Sequence, residues 1–392
     1  MNLSSKFFNM ILFNLIICAC IFIIYILPVS SNMNLSDKTH YDVYYYSRLL
    51  LAGIALPIII RKLRVRWLQC FEYLVLAAIM LVYIFINDKI PWTGILVFSF
   101  IIIIDWLLSQ KKANLLNSAF IKKLIICASI FYIAQIALVV ALNPTRVGLL
   151  SSCKDANYTG YFLVLLYFLV DSIKKGNKLF HFAGIFLTLA FLTYSRAAFL
   201  AVSIIIFCKL VKLKSRFIEE NPAKCFYIIL MLWVSMGILY INHFESIEYQ
   251  YRSIFGINRF LNYIDFSNYI RFVTNWKLIA NISFPEIILG YTDHIYNQII
   301  FFENKSIFPH NLFFAIYAHA GVLFALSIVH RLVSIFKGYR NITCLFLVVV
   351  MYAMVLGPSV FYGVDLIIIF TILQLGNSSN ICTAKQKTRV AR

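Results

Sequence analysis

The sequence is poor in charged residues, above all in acidic ones. Only 13% of its 392 residues are charged, with 16 Asp or Glu against 35 Lys or Arg. A soluble protein of this size needs about a quarter of its residues charged to cover its surface. Together with a hydrophobic content of 62%, this scarcity excludes a soluble globular domain.

The sequence also lacks the patterns of metal modules and repeat proteins. Its nine cysteines show no paired metal-ligand spacing. No repeat of 20 to 50 residues and no low-complexity linker interrupt the chain. No disulfide framework is therefore expected, and repeat architectures are excluded.

Long apolar runs dominate what is present. A bilayer core about 30 Å thick needs roughly 20 apolar residues per helix, and slightly fewer where neighbours shield the ends. The sequence thus predicts an all-α integral membrane protein with about twelve transmembrane helices. The predicted spans are 8–28, 41–60, 68–86, 92–108, 124–142, 158–173, 179–194, 197–211, 225–241, 310–333, 342–356 and 360–375.

The basic residues sort by side once the loops are numbered alternately. One side receives 24 of the 35 Lys and Arg, and five of the other eleven lie in a single long loop. The positive-inside rule therefore predicts that both termini are cytoplasmic. The net charge of +19 is then a sign of topology, and a nucleic-acid partner is not expected.

The predicted spans divide the chain into four parts. Residues 1–241 contain spans one to nine with short loops. Residues 242–309 form one large outer loop, whose length and content of aromatic and apolar residues predict an ordered, functional segment. Spans ten to twelve follow in 310–375, and 376–392 form a cytoplasmic tail. The first span lacks a small-residue cleavage site, so we interpret it as a retained helix rather than a signal peptide.

The outer face carries basic residues against the topological bias. Arg196 lies at a turn between two apolar helices, where it either snorkels to the interface or grips a phosphate with its guanidinium. Arg146 precedes Gly148 in a short outer loop, which suits anion binding. Arg271 and Trp276 share a stretch of helical spacing, predicted as an amphipathic helix on the membrane surface in which Arg271 is an anchor or a ligand contact.

Polar residues at predicted helix starts complete the candidate set. His310 and Asn311 open span ten, and an imidazole there is either a proton acceptor or a helix cap. Asn157 is a candidate cap of span six. No outer carboxylates are paired as in a divalent-metal site, so no metal is expected. The carboxylates inside spans are either solvated span ends or functional; they are Glu72, Asp105 and Asp365.

These pieces resemble the O-antigen polymerase and ligase superfamily, the C-type integral-membrane glycosyltransferases of bacterial envelope glycan assembly. The matching motifs, in order, are Arg146-x-Gly148 before Asp155-Ala156-Asn157, Ser195-Arg196, Arg271 with Trp276, Leu289-Gly290-Tyr291, and His310-Asn311 followed after nine residues by Gly321. Phe324 stands where ligases usually have Gly, Thr or Tyr, which favours the polymerase branch.

The resemblance implies a bacterial inner-membrane enzyme that joins oligosaccharide repeat units carried on undecaprenyl diphosphate, on the periplasmic face. Arg196 and Arg271, supported by Arg146, would hold the diphosphate, and His310 would orient or deprotonate the acceptor hydroxyl. Asn157, Trp276 and Asn311 complete the expected substrate contacts. No cofactor is implied, and the expected partners are membrane lipids, the lipid-linked glycan and a chain-length regulator.

Two alternatives to a polymerase stay open on the sequence. An O-antigen ligase, which transfers finished glycan to the lipid A core, would have the same site and a different acceptor. A flippase for the same lipid-linked unit is a transporter of similar size. Transporters usually carry internal repeats and mid-membrane charges, which are not evident in this sequence. The long loop at 242–309 also has no evident use in transport, so both observations disfavour a flippase.

Overall fold

The computed structural model describes residues 3–26, 71, 74–75, 77–78, 81, 101, 104–108, 118–142, 156–173, 179–193, 195–244, 246, 266–281, 284, 287, 290, 301–302, 305–306, 311–355 and 365–376. These residues are helical apart from their connections and one short antiparallel hairpin. The helices are α1 (Leu3–Ile21, continued by a π-helical turn Phe22–Ile26), α2 (Ser118–Leu142), α3 (Ala156–Ser172), α4 (Leu179–Leu192), α5 (Arg196–Leu210), α6 (Arg216–Glu220), α7 (Pro222–Asn242), α8 (Phe266–Ala280), α9 (Leu312–Ser334), α10 (Thr343–Val355) and α11 (Asp365–Gly376). The hairpin pairs β1 (Phe301–Phe302) with β2 (Lys305–Ser306).

The helical fold class is confirmed for these residues. Helices lie at nine of the predicted spans, with ends that differ by at most about six residues from the predicted limits. Predicted spans 41–60, 68–86 and 92–108 fall mostly outside the described residues. Inside the predicted long loop, the structure has α8, at the stretch predicted to be helical, and the hairpin, which was not predicted.

Polar contacts fix the directions of the helices around α3. Asn157 and Ser195 join the starts of α3 and α5, while Asp171 and Lys209 join their ends, so the two helices run in the same direction. Helix α10 runs against them, because the Ser215 amide donates to Thr343 Oγ1 beside the end of α5. We call the end where α3, α5 and α9 begin and α10 ends the upper end, and the opposite end the lower end.

The lower end is strongly basic. Two polar contacts join helices and connections at this end. Glu219 Oε1 of α6 accepts a hydrogen bond from the amide of Asn341, which lies between α9 and α10, and Lys209 Nζ of α5 lies 3.1 Å from Asp171 Oδ1 of α3. Basic residues assigned by the sequence to the cytoplasmic side are carried on these connections or on the helix ends beside them; they are Lys209, Lys212, Lys214, Arg216, Lys224, Lys337 and Arg340. Arg196, by contrast, begins α5 at the upper end.

Two of the described helices are long and apolar enough to cross a membrane, within Ala119–Leu138 and Pro222–Asn242. Only 33% and 22% of their apolar stretches are buried in the protein, so neither is the covered core helix of a soluble fold. Their outward faces carry large apolar side chains, such as Ile130, Leu138, Met231 and Met236. An exposed apolar surface of this kind requires lipid or a protein partner to cover it.

The span-internal carboxylates that the structure describes are buried. Asp105 accepts a hydrogen bond of 2.8 Å from Arg331 of α9, and its side chain is 3% exposed. Asp365, the first residue of α11, is fully buried. Neither is a solvated span end, which was one of the two interpretations that the sequence left open, and Glu72 lies outside the described residues.

Candidate functional site

Arg196 is held at the upper end by a capped helix start. Ser195 precedes it as the N-cap of α5, and its Oγ accepts a hydrogen bond of 3.2 Å from the Ala198 amide. The same hydroxyl donates to Asn157 Oδ1 at 2.6 Å. Ser195 thus fixes the first turn of α5 against the first turn of α3, and Arg196 lies half-buried at that junction.

The junction is tight because a glycine faces an alanine. A Cβ placed on Gly160 of α3 would lie 2.5 Å from the Cβ of Ala198 and 3.2 Å from Thr193 Oγ1. Only the missing side chain lets the backbones of α3 and α5 approach so closely. This approach brings the Asn157 amide within reach of Ser195, so the spacing of the two helices is part of the site.

Asn311 holds the start of α9 at the same end. Its Oδ1 accepts from the amides of Phe313 at 2.9 Å and Phe314 at 3.3 Å, and its Nδ2 donates to Met354 Sδ at 3.1 Å. The cap of α9 is therefore Asn311, and not His310 as one interpretation of the sequence had it. His310 lies outside the described residues, and the substrate contact predicted for Asn311 stays a prediction.

Helix α8 carries Arg271 and Trp276 and packs on two other helices. Its Phe272 ring lies 4.7 Å from the ring of Trp233 in α7, which in turn lies 6.4 Å from the ring of Phe314 near the start of α9. Arg271 is half-buried, and Trp276 is 41% exposed. The predicted helix is confirmed, but α8 packs against the bundle instead of only resting on a membrane surface.

A chain of contacts places these helix starts at one end of the protein. Asn311 meets Met354 near the end of α10, and two residues earlier Tyr352 packs on Tyr161 of α3 with ring centroids 4.7 Å apart. Tyr161 is one turn beyond Asn157, which bonds to Ser195 of α5. The starts of α3, α5 and α9 therefore lie at the same end of the bundle.

This arrangement makes the upper end suited to an anion. The dipole of each helix places the equivalent of about half a positive charge at its start, which favours a negatively charged group there. A cation is disfavoured at such a start by the same dipole, so Arg196 as the first residue of α5 adds positive charge where the helix already supplies it. Arg146 lies outside the described residues, and so does the connection that precedes α3.

The structure draws attention to two polar residues, Ser195 and Asn275, that the sequence alone did not single out. Ser195 was noticed only as part of a motif, although a serine before a new helix is a capping signal. Asn275 lies four residues after Arg271 on α8 and is 2% exposed; among the described residues, neither its Oδ1 nor its Nδ2 has a hydrogen-bond partner. The helical spacing from Arg271 was the available signal for Asn275.

No group of three or more His, Cys, Asp or Glu side chains within the described ranges is arranged to hold a metal ion. Comparison of the chain with protein-family models, with curated proteins and with solved structures found no match.

Proposed function

We propose that this protein is a membrane glycosyltransferase that polymerises oligosaccharide repeat units carried on undecaprenyl diphosphate, an O-antigen polymerase of the bacterial inner membrane. The observation that carries the proposal is the convergence of the α3, α5 and α9 starts with Arg196 at one end of the bundle. Most of the described basic residues of the second half lie at the other end. The choice of an O-antigen polymerase depends on the resemblance to that family, which the order of the motifs from Arg146 to Gly321 carries.

In the proposed reaction, the C1–O bond between the sugar and the diphosphate breaks while a bond forms from C1 to an acceptor hydroxyl oxygen. The hydroxyl proton passes to His310, and undecaprenyl diphosphate leaves. Arg196, Arg271 and Arg146 stabilise the negative charge that grows on the leaving group, as preorganised donors stabilise the charge that develops in other transition states. Because the diphosphate is already a good leaving group, no metal is required.

Helix capping serves this chemistry by fixing where the donors lie. Ser195 and Asn157 hold the start of α5, and Asn311 holds the start of α9, the helix that directly follows His310 in the chain. A displacement of about 1 Å in a reacting group lowers a rate by as much as a hundredfold. The buried caps are therefore proposed to position Arg196 and His310, with Trp276 available to stack on a sugar ring.

The proposed location is the inner membrane, with both termini cytoplasmic and the upper end facing the periplasm. The outward apolar faces of α2 and α7 support burial in lipid. The basic lower end agrees with the positive-inside rule if it faces the cytoplasm. A chain-length regulator is the proposed protein partner.

The test is complementation of a deletion strain, read from the banding of its surface lipopolysaccharide. We expect single repeats in the deletion strain, and no long chains when Arg196→Ala, Arg271→Ala or His310→Ala is supplied, with normal membrane insertion. Arg216→Ala is a matched control, because Arg216 also follows a serine N-cap, Ser215, whose Oγ accepts from the Ile218 amide. It lies at the lower end and should restore full-length chains.

Other outcomes would contradict the proposal. Long chains in both the Arg196→Ala and His310→Ala strains would refute the site. Accumulation of long lipid-linked glycan in the deletion strain would identify a ligase instead. Transport of labelled lipid-linked sugar by the purified protein in liposomes would identify a flippase.

A further inference from the structure

Asn275 is unusual among the polar side chains of α8. Thr274 Oγ1 donates to the carbonyl of Ile270, and Asn281, the residue directly after α8, donates from Nδ2 to the carbonyl of Lys277, so each bonds to the helix four residues back. Asn275 makes no such bond, although it is 2% exposed and both of its amide atoms are buried. Burying a polar group without a partner costs free energy comparable to a lost hydrogen bond, so a stable protein retains one only for a reason.

The position of Asn275 links it to the proposed diphosphate contact. Residues four apart lie on the same face of a helix, so Asn275 and Arg271 share one face, about 6 Å apart along the axis. In a lipid-linked glycan the first sugar is bonded directly to the diphosphate. A side chain one turn away from a diphosphate contact is therefore placed to meet that sugar.

We infer that Asn275 is a further substrate-binding residue, whose amide binds a sugar hydroxyl of the lipid-linked glycan; this inference rests on the proposed function. An asparagine amide offers both a donor and an acceptor, and a hydroxyl group likewise donates and accepts. Phosphate oxygens accept only, so a phosphate would leave Oδ1 without a partner. The unpartnered pair of atoms on Asn275 thus matches a hydroxyl better than it matches the diphosphate.

Both amide atoms of Asn275 are buried, so binding requires α8 to move on its neighbours. The described packing of α8 on α7 consists of apolar ring contacts, with Phe272 against Trp233 and against the backbone at Gly237. Ring contacts of this kind are not directional, so they permit a shift of α8 on α7, while the Tyr317 hydroxyl of α9 donates to the Leu278 carbonyl at 3.2 Å and holds the last turns of α8.

The experiment uses the full-length protein in nanodiscs with two probes. One probe is undecaprenyl diphosphate, and the other is the lipid-linked repeat unit extracted from the deletion strain. We expect Asn275→Leu, which has a similar size and no polar atoms, to weaken binding of the repeat unit about tenfold, equivalent to 1.4 kcal/mol. Binding of undecaprenyl diphosphate should not change. Asn281→Ala, directly after the end of the same helix, is the control and should bind both probes normally, because Asn281 is exposed and its Nδ2 bonds to the nearby carbonyl of Lys277.

A second variant, used with both probes, distinguishes a sugar hydroxyl from a phosphate as the ligand. Asn275→Ser keeps a donor and an acceptor for a hydroxyl, so it should bind the repeat unit better than Asn275→Leu does. If the ligand were a phosphate, Asn275→Leu would weaken binding of undecaprenyl diphosphate as much as binding of the repeat unit. That result would overturn the inference.

Thermal unfolding distinguishes a binding role from a structural one. If the Asn275 amide has no partner within the protein, Asn275→Leu should unfold at the same or a higher temperature. A lower unfolding temperature, or failure to fold, would show that the amide is bonded within the chain and would overturn the inference. Wild-type protein that binds neither probe would refute the proposed function as well, whereas wild-type and Asn275→Leu proteins that bind both probes equally would refute only the role of Asn275.

Discussion

Substitution of Gly160 by alanine tests whether the close approach of α3 and α5 builds the upper end. A Cβ at this position would lie 2.5 Å from the Cβ of Ala198, about 0.9 Å inside the closest ordinary contact. To relieve the overlap, the two helix starts must separate or shift. The separation stretches the 2.6 Å hydrogen bond from Ser195 to Asn157 and displaces Arg196, which follows Ser195 directly.

The matched control is Gly184→Ala in α4, where a Cβ would meet nothing within 4 Å. Alanine stabilises a helix interior by about 1 kcal/mol relative to glycine, and this gain is common to both variants. Overpacking a buried contact costs about 1–3 kcal/mol, and this cost falls on Gly160→Ala alone. The difference between the two variants therefore isolates the contact between α3 and α5, and should be about 1–3 kcal/mol.

The assay pairs thermal unfolding of the purified proteins, at one heating rate, with binding of undecaprenyl diphosphate in nanodiscs. We expect Gly184→Ala to unfold at or above the wild-type temperature with unchanged binding. Gly160→Ala should unfold below Gly184→Ala and bind more weakly, since Arg196 is displaced. If the two variants unfold at the same temperature and bind equally, the tight junction is not needed and the reasoning is refuted.

Two further substitutions test the packing around the site. Asn311→Ala removes the cap of α9 and the contact with Met354, so it should destabilise the protein by about 1 kcal/mol and shorten the glycan chains; Asn311→Asp keeps the cap and should recover most of the stability in thermal unfolding, and equal unfolding temperatures for both variants would contradict a capping role. Arg331→Leu or Asp105→Leu leaves a buried charge without its 2.8 Å partner and should cost about 3–5 kcal/mol. The double variant should unfold at a higher temperature than either single variant, and additive losses would argue against a coupled pair.

The helices were predictable from the sequence because outward-facing and core-facing segments are both apolar along their length. Runs such as 158–173 and 225–241 contain few residues that compete with helix formation, and the structure places α3 and α7 there. The helical stretch around Arg271 was likewise evident from its spacing. Pairwise contacts were not predictable, because apolar helices of similar composition offer no signal of which neighbour each one meets.

Arg196 and its surroundings show what the sequence determines and what only the tertiary structure decides. The sequence determined that an arginine follows a serine between two apolar runs, because the order of these residues alone shows it, and the side of the membrane that Arg196 faces stays a prediction. The tertiary structure decided that Ser195 bonds to Asn157, that Gly160 admits Ala198, that Asn311 and not His310 caps α9, and that Asn275 is buried. The cap of α9 is a local contact that either residue could make on the sequence alone. The contacts of Ser195 and Gly160 depend on which surfaces meet across the bundle, and they join residues tens of positions apart, whose separation in the chain gives no sign of the contact.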